Sequence, residues 1–241
     1  MEDREEKWTM HGLSETDPKC VKSPEQLLEL INRVGFLPLF RNEIRGFSVE
    51  ETVSPLYWWT DDPERDPWYW RILLSGSGEV AYGKFFDGKA GYVSKALFPV
   101  FACARREGYD FDSLRDEGRV NSRESKIMAL FENGEELYSC DVKNRAGFGK
   151  GGEKNFEGTV TSLMDRCYLI DRDFRPRLNK QGQPYGWHIA VYSTPEHLWG
   201  EDYVRSAYVT GEDECRRILL ANMEERFPNA AKKAVEKLVI R

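Results

Sequence analysis

Several things are scarce or missing in this chain of 241 residues. No apolar run approaches the roughly 18 residues of a membrane-spanning helix. The opening stretch, Met1 to Lys7, is charged and lacks the apolar core of a secretory signal. The five cysteines are odd in number and include no Cys-x-x-Cys, so neither a disulfide framework nor a zinc site fits the spacing. Cys103 and Cys167 fall in apolar helical patterns and read as small core residues. These absences point to a cytoplasmic protein with no membrane partner. The three histidines, His11, His188 and His197, are scattered. They offer no metal-ligand spacing and no evident Ser-His-Asp set, and no metal or cofactor is expected. Gly-x-Ser-x-Gly is missing, and Gly147 to Lys154 lacks the spacing of a phosphate-binding loop. There is no internal repeat and no low-complexity tract.

What is present is ordinary globular composition, 40% apolar and 32% charged, with a net charge of −6. That acidity is not the bulk signature of a nucleic-acid binder, but binding depends on where cations cluster. Residues 140 to 183 hold nine Lys or Arg against six Asp or Glu. The acid gathers in the N-terminal tail, in residues 61 to 66 and in the last helices.

Residues 1–22 show no sustained period and are expected to be a loose leader. Ser23-Pro24-Glu25-Gln26 is a helix start, with a capping serine, proline at the first position and glutamine three residues on. Leu27, Leu30, Ile31 and Val34 follow at helical spacing, and Gly35 is a stop. Asp66-Pro67 starts a second helix with Trp68, Ile72 and Leu73 expected on its buried side, ended by a turn at Ser75 to Gly78. Asp87-Gly88 is a hairpin signal within residues 79–93. Ser94 is a candidate cap for a helix bearing Leu97, Val100, Phe101 and Ala104, which Pro99 would kink or split.

Helices are then expected from Ser122, from Ser139 to Ala146 and, after a glycine-rich turn, from Glu153 to Cys167. Tyr168-Leu169-Ile170 begins a strand, residues 172–184 form a basic loop, and residues 186–192 alternate at period two. Helix, helix, helix, strand, loop, strand is the winged-helix order. Two last helices carry Ile218, Leu219 and Met223, then Ala234, Val235 and Leu238. The expected class is α+β, a mostly helical winged helix with an antiparallel wing. The organisation is a leader at 1–22, a helical and hairpin subdomain at 23–120, which is open to being a second, divergent winged helix, the module at 121–200, and helices at 201–241 packed on the core.

The helix from Glu153 is the candidate recognition helix. Phe156, Val160, Leu163 and Cys167 would hold it on the core, leaving Lys154, Asn155, Thr159, Ser162 and Arg166 for phosphates or base edges. Lys150 sits in the preceding turn, and the wing supplies Arg172, Arg175, Arg177 and Lys180. The bland reading is a solvated surface on a module that contacts protein. Residues 58–70 pack four tryptophans and four carboxylates into thirteen residues. Either Trp58, Trp59 and Trp68 wall a pocket for a flipped base served by Asp61 or Asp62, or Asp66 caps a helix and the tryptophans are core. His188, in a period-two strand, reads as structural.

Gly35-Phe36-Leu37-Pro38-Leu39-Phe40, Tyr82-Gly83-Lys84-Phe85-Phe86, Leu97-Phe98-Pro99 and the element order from Ile127 to Tyr192 resemble the AlkZ-like bacterial DNA glycosylases, in particular the shorter AlkZ-related proteins. The resemblance spans roughly residues 24 to 200. It implies tandem winged helices acting on duplex DNA that carries alkylated or crosslinked bases. It also implies a catalytic Gln-x-Gln or Gln-x-Asp where this chain has Pro38 and Phe40. Neither of those side chains can position a water or stabilise a sugar cation. Three expectations follow: a DNA-binding protein with catalysis reduced or lost; a base-excising hydrolase in which Glu43, Asp61 or Asp62 substitutes; or a protein-binding module on the same scaffold. Gln181-Gly182-Gln183, the one Gln-x-Gln, lies in the wing and reads as turn chemistry.

Overall fold

The computed structural model describes residues 9–240, so the first eight residues of the expected leader lie outside it. The rest of that segment is tied down. The Leu13 N–H donates to Val53 O, Val21 bridges Val53, and Met10 packs against the core.

The first half runs α1 (Pro24–Val34), β1 (Phe36–Pro38), α2 (Val49–Thr52), α3 (Pro67–Ser77), β2 (Val80–Phe86) and β3 (Lys89–Ser94). The start of α1 is as its sequence implies: Ser23 Oγ accepts the Gln26 N–H, and Gly35 ends the helix at φ +96°. Asp66 caps α3 by accepting the Trp68 N–H. Two expectations about α3 fail. Ser75-Gly76-Ser77 is not a turn but the last part of the helix, which ends at the left-handed Gly78. The buried face is Trp70, Arg71 and Leu74, while Trp68 and Leu73 are exposed. Trp70 is fully buried and its indole donates to Glu64 O, which turns this face of the helix inward. Asp87 and Gly88 both take positive φ, 53° and 74°, the two-residue hairpin turn that twists with its strands. In the sheet, β3 lies between β1 and β2, all antiparallel.

After α4 (Phe98–Arg106) and α5 (Phe111–Asp116), the order repeats: α6 (Ser122–Met128), β4 (Leu137–Tyr138), α7 (Ser139–Arg145), α8 (Phe156–Asp165), β5 (Ile170–Leu178), β6 (Pro184–Ser193). Again the last strand is central, β4-β6-β5, and the pairing is antiparallel. Pro99 stands in the first turn of α4, where a missing N–H costs nothing, so it starts the helix and does not kink it. The cap of α6 is Asn121 and not Ser122, in a reciprocal capping box with Glu124. The chain continues through α9 (Pro195–Trp199), α10 (Glu201–Val204), α11 (Glu212–Arg226), α12 (Lys232–Val235) and a helical turn at Glu236–Ile240. In α11 the buried residues are Cys215, Leu219 and Met223, and Ile218 is at the surface.

The result is a mixed α/β structure with two small antiparallel sheets and two cores. One core belongs to the first half, with α4 and the C-terminal helices; the other lies inside the second half. Cys103 and Cys167 are fully buried in the first. The halves pack reciprocally: α3 lies on β5, α8 lies on β2, and β2 meets β5. Each half thus lays its third helix on the hairpin of the other. The fit is close, since a Cβ at Gly88 would stand 3.3 Å from Thr161 Cγ2. Arg105 of α4 straps the joint. It donates to Phe85 O, Leu238 O and Val239 O and pairs with Asp165 at 3.2 Å.

Candidate nucleic-acid interface

The β5–β6 hairpin is the most exposed part of the fold. Its strands extend further than the sequence implies, so the expected loop at 172–184 shrinks to residues 179–183. Asn179 organises that turn: its Oδ1 accepts the N–H groups of Gln181 and Gln183, and Gly182 takes φ +75°. Residues 178–188 are all exposed. The pairing shifts between Arg175↔Ile189 and Arg177↔Tyr185, and Gly186 within the shift has φ +71°. Such a bulge re-aims a side chain, and here Trp187 stands 90% exposed, with Tyr185 and Leu178 of the same hairpin also exposed. Period-two alternation assigns Trp187 only a strand face, so the sequence carries no signal for this display.

The basic residues of the hairpin divide into two groups. At its root, Arg172 pairs with Glu136 and donates to Ser75 O and Gly76 O of α3, and Arg175 pairs with Glu136 and Asp173. Arg175 thus helps to hold the hairpin in place while keeping 41% of its side chain accessible. Among the described residues the hairpin's ion pairs involve Arg172 and Arg175, and neither Arg177 nor Lys180.

The third helix does not present the expected face. It begins at Phe156, so Lys154 and Asn155 precede it, and Asn155 turns the chain at φ +64°. Thr159 is buried, its hydroxyl donating to Asn155 O at 2.9 Å. Arg166 is past the end of the helix and pairs with the buried Glu124, which also accepts from Ser162. Thr161 meets the first hairpin at Gly88, and Lys84 pairs with Glu157 at 3.6 Å. Glu157, an acid, is the only residue of α8 left exposed. The reason is tertiary: the other half of the molecule covers the outer face of α8. Lys150 and Lys154 remain exposed in the glycine-rich turn, where Arg123 donates to Lys154 O and Lys126 pairs with Glu153.

The tryptophan-rich segment forms a row of rings, and neither of the two clefts described below is lined by it. Trp59 lies 5.9 Å from Trp58, Trp58 is 5.6 Å from Phe40, and Phe40 stacks on Trp68 at 6.3 Å. Arg71 sits 4.0 Å over Trp68 and 4.0 Å over Phe174. Asp66 is buried and accepts the backbone N–H groups of both Trp59 and Trp68, and burial pushes its carboxyl upward. The three carboxylate candidates stand apart from any enclosed site. Glu43 is a surface partner of Lys237 at 2.7 Å, and that hydrogen bond holds its carboxyl below its usual range. Asp62 caps a turn through the Glu64 N–H, and Asp61 is exposed beside it. His188 is not an interior histidine; it is exposed, edge-on to Tyr69 at 6.4 Å.

Behind the hairpin, the junction of the halves holds ionisable groups that no motif announces. Arg71 from α3, Tyr82 and Tyr92 from the first sheet, and Asp171 from β5 share one electrostatic cluster. Burial raises Asp171 to about 7, opposed by Lys84 and Arg71. The hydroxyl of Tyr92 and the Nε of Arg71 are buried with no hydrogen-bond partner among the described residues. Local patterns cannot reveal this cluster because its members lie up to 100 residues apart.

Two clefts among the described residues lie elsewhere. One of about 420 Å³ is lined by Arg105, Asp165, Thr161 and Arg166, and another of about 380 Å³ by Asp110, Arg115, Glu132 and Arg205. Among the described residues there is no group of three or more His, Cys, Asp or Glu that could hold a metal ion, and no helix long and apolar enough to cross a membrane. A family model described as AlkZ related matches residues 21–240. No curated protein and no solved structure matches the chain.

Proposed function

The chain belongs to the AlkZ-related family, and from that premise we propose that it is a cytoplasmic DNA-binding relative of the AlkZ-like DNA glycosylases, built from two winged helices, that holds duplex DNA without excising bases by the Gln-x-Gln route. The observation that carries this reading is the second hairpin. It projects from a root tied by Arg172 and Arg175, with Arg177, Lys180, Tyr185 and Trp187 displayed at its end. The two halves share helix–strand–helix–helix–strand–strand order with the last strand central, an order that supports the winged-helix reading. The position of the catalytic motif supports the loss of excision. Pro38 is paired in β1 opposite Gly91, and Phe40 is part of an aromatic stack. Neither offers a group that could activate water. The covered outer face of α8 favours a wing-led contact over a helix in the major groove. Lys150 and Lys154 would add phosphate contacts at the edge of the same module.

The test is duplex binding, followed by fluorescence anisotropy across salt concentrations. A salt-dependent affinity is expected. Arg177→Glu with Lys180→Glu should weaken binding to every sequence and lower the salt slope by about 1 for each phosphate no longer neutralised. Arg166→Gln should leave the slope unchanged, because that side chain belongs to Glu124. Flat isotherms at low salt sink the reading. Abasic-site formation on alkylated duplex would sink its claim that excision is lost.

A further inference from the structure

We propose that an arginine-lined chamber at the C-terminal end of α4 binds the phosphoryl group of a small sugar or polyol phosphate. The chamber has a volume of about 140 Å³ and is lined by Arg105, Arg106, Arg119 and Arg166 against a single carboxylate, Glu107. It adjoins the cleft of about 420 Å³, with which it shares Arg105, Glu107 and Arg166. A water-sized group needs roughly 10–15 Å³, so the chamber has room for a phosphoryl group.

Three of the guanidinium groups keep a donor in reserve. Arg106 has no side-chain exposure. Its Nη1 donates to Glu196 and Tyr208, and its Nη2 to Cys167 O. Its Nε is buried with no hydrogen-bond partner among the described residues, a bond that is costly to leave unmade. Arg166 uses Nε on Ser162 O and Nη2 on Glu124, which leaves Nη1. Arg119 uses Nη1 on Glu117 and Nη2 on Glu107, which leaves Nε. Neighbouring rings fix all three groups in place. Arg106 and Arg166 stand 4.6 and 5.5 Å from the Tyr168 ring, and Arg119 stands 4.6 Å from that of Tyr109. Glu124 and Glu196 hold their arginines without lining the chamber, and Glu107 is paired with Arg119 at 2.9 Å.

The chemistry selects the ligand. The spare donors come from three separate places in the fold: α4, the segment after α5, and the segment after α8. A phosphomonoester offers three terminal oxygens to such a set, whereas a planar carboxylate offers two. The adjoining cleft differs in charge. Its two arginines meet two acids, Glu107 and Asp165, and α8 adds Thr161 and Ser162. That balanced, polar lining suits hydroxyl groups. It includes no aromatic ring on which a base could stack, so a sugar phosphate fits better than a nucleotide. The phosphates of a duplex are held on a stiff backbone outside, and the fully buried Arg106 is out of their reach. The inference is therefore independent of the DNA-binding reading above.

The experiment uses the full chain. Glucose 6-phosphate, inorganic phosphate, glucose and AMP are each titrated by calorimetry. Glucose 6-phosphate is expected to bind saturably and more tightly than phosphate or AMP, and glucose is expected not to bind. Arg119 is partly exposed, so Arg119→Ala should fold, and Arg166→Lys keeps a cation for Glu124 while removing the fork. Each should weaken the ester by about tenfold or more, as for a lost hydrogen bond to a charged group. Arg177→Glu should leave ester binding intact, and saturating ester should leave duplex affinity unchanged. Ester binding without any duplex binding supports the site and defeats only the DNA reading. The proposal is overturned if the ester binds no better than phosphate, if AMP is preferred, if duplex competes with the ester, or if affinity survives both arginine variants.

Discussion

The two halves of this molecule share one topology and use it in opposite ways. In the first half the hairpin turns in two residues, Asp87-Gly88, and nearly every residue of its first strand is buried. In the second half the equivalent hairpin is longer, turns over residues 179–183 and is exposed at its end. Composition explains the contrast. The first hairpin carries aromatic rings on both faces, with Tyr82 and Tyr92 toward β5 and Phe85 and Phe86 in the core. The second carries Arg177, Asn179, Lys180 and Gln181, which no core can bury at reasonable cost. One hairpin has become the structural bed for α8, and the other a projecting arm. The pairing teaches that a winged-helix order in sequence does not decide which surfaces are free. Each third helix here is covered by the neighbouring half.

If Arg105 is what makes the halves one body, Arg105→Ala should break the comparison outright. It would take the guanidinium away from Asp165 and from the carbonyls of Phe85, Leu238 and Val239. A destabilisation of about 3–5 kcal/mol is expected for breaking such a buried pair. Denaturant unfolding would read it, as a lower midpoint or as two transitions where the halves part. A single transition at the parental midpoint would refute the strap.

The junction can be probed more gently through Asp171. Its folded pKa, about 7, is above the ordinary aspartate value of 3.8, so the folded state holds the proton more tightly than the unfolded chain. The fold is therefore favoured at low pH, loses stability as pH rises from about 4 through about 7, and is flat beyond. Asp171→Asn should abolish this slope. It should stabilise the protein by on the order of 2–4 kcal/mol at pH 8 and by little near pH 4. The measure is urea unfolding at both values. Equal effects at both would show that Asp171 does not titrate in that range.

The finest test compares the two turns. Gly88→Ala and Gly182→Ala place a Cβ at nearly the same φ, +74° and +75°, and each should cost about 1 kcal/mol in backbone strain. At Gly88 the new methyl also meets Thr161, while at Gly182 nothing lies within 4 Å. The first should therefore be the more destabilising by some tenths of a kcal/mol. The reverse order would mean the first hairpin is less tightly bedded than its packing implies.

Much of the fold is legible in the chain itself, for identifiable reasons. Ser23-Pro24 and Asp66-Pro67 start helices because capping and proline φ act within four residues. Asp87-Gly88 makes a hairpin turn because only certain residues accept two positive φ values in succession. The helix, strand and turn order of the second half follows from such local signals, and so does the family resemblance. Pattern fails where packing overrules it. Spacing puts Trp68 in the core, yet Trp70 fills it. Thr159 and Arg166 fall on an outward face by periodicity, yet one is buried and the other serves Glu124. The candidate acids Glu43, Asp61 and Asp62 have the right chemistry but no enclosure around them.

The sequence by itself determined the local events: caps, turns, strand alternation and the basic end of the second hairpin. Each depends on residues close in the chain, whose conformational preferences are intrinsic. Only the tertiary structure decided which surfaces remain to meet a ligand. Reciprocal packing of α3 on β5 and α8 on β2 covered one expected interface and left another. The same packing raised Asp171. Those outcomes arise from desolvation and close contact between residues distant in sequence, which no local pattern records.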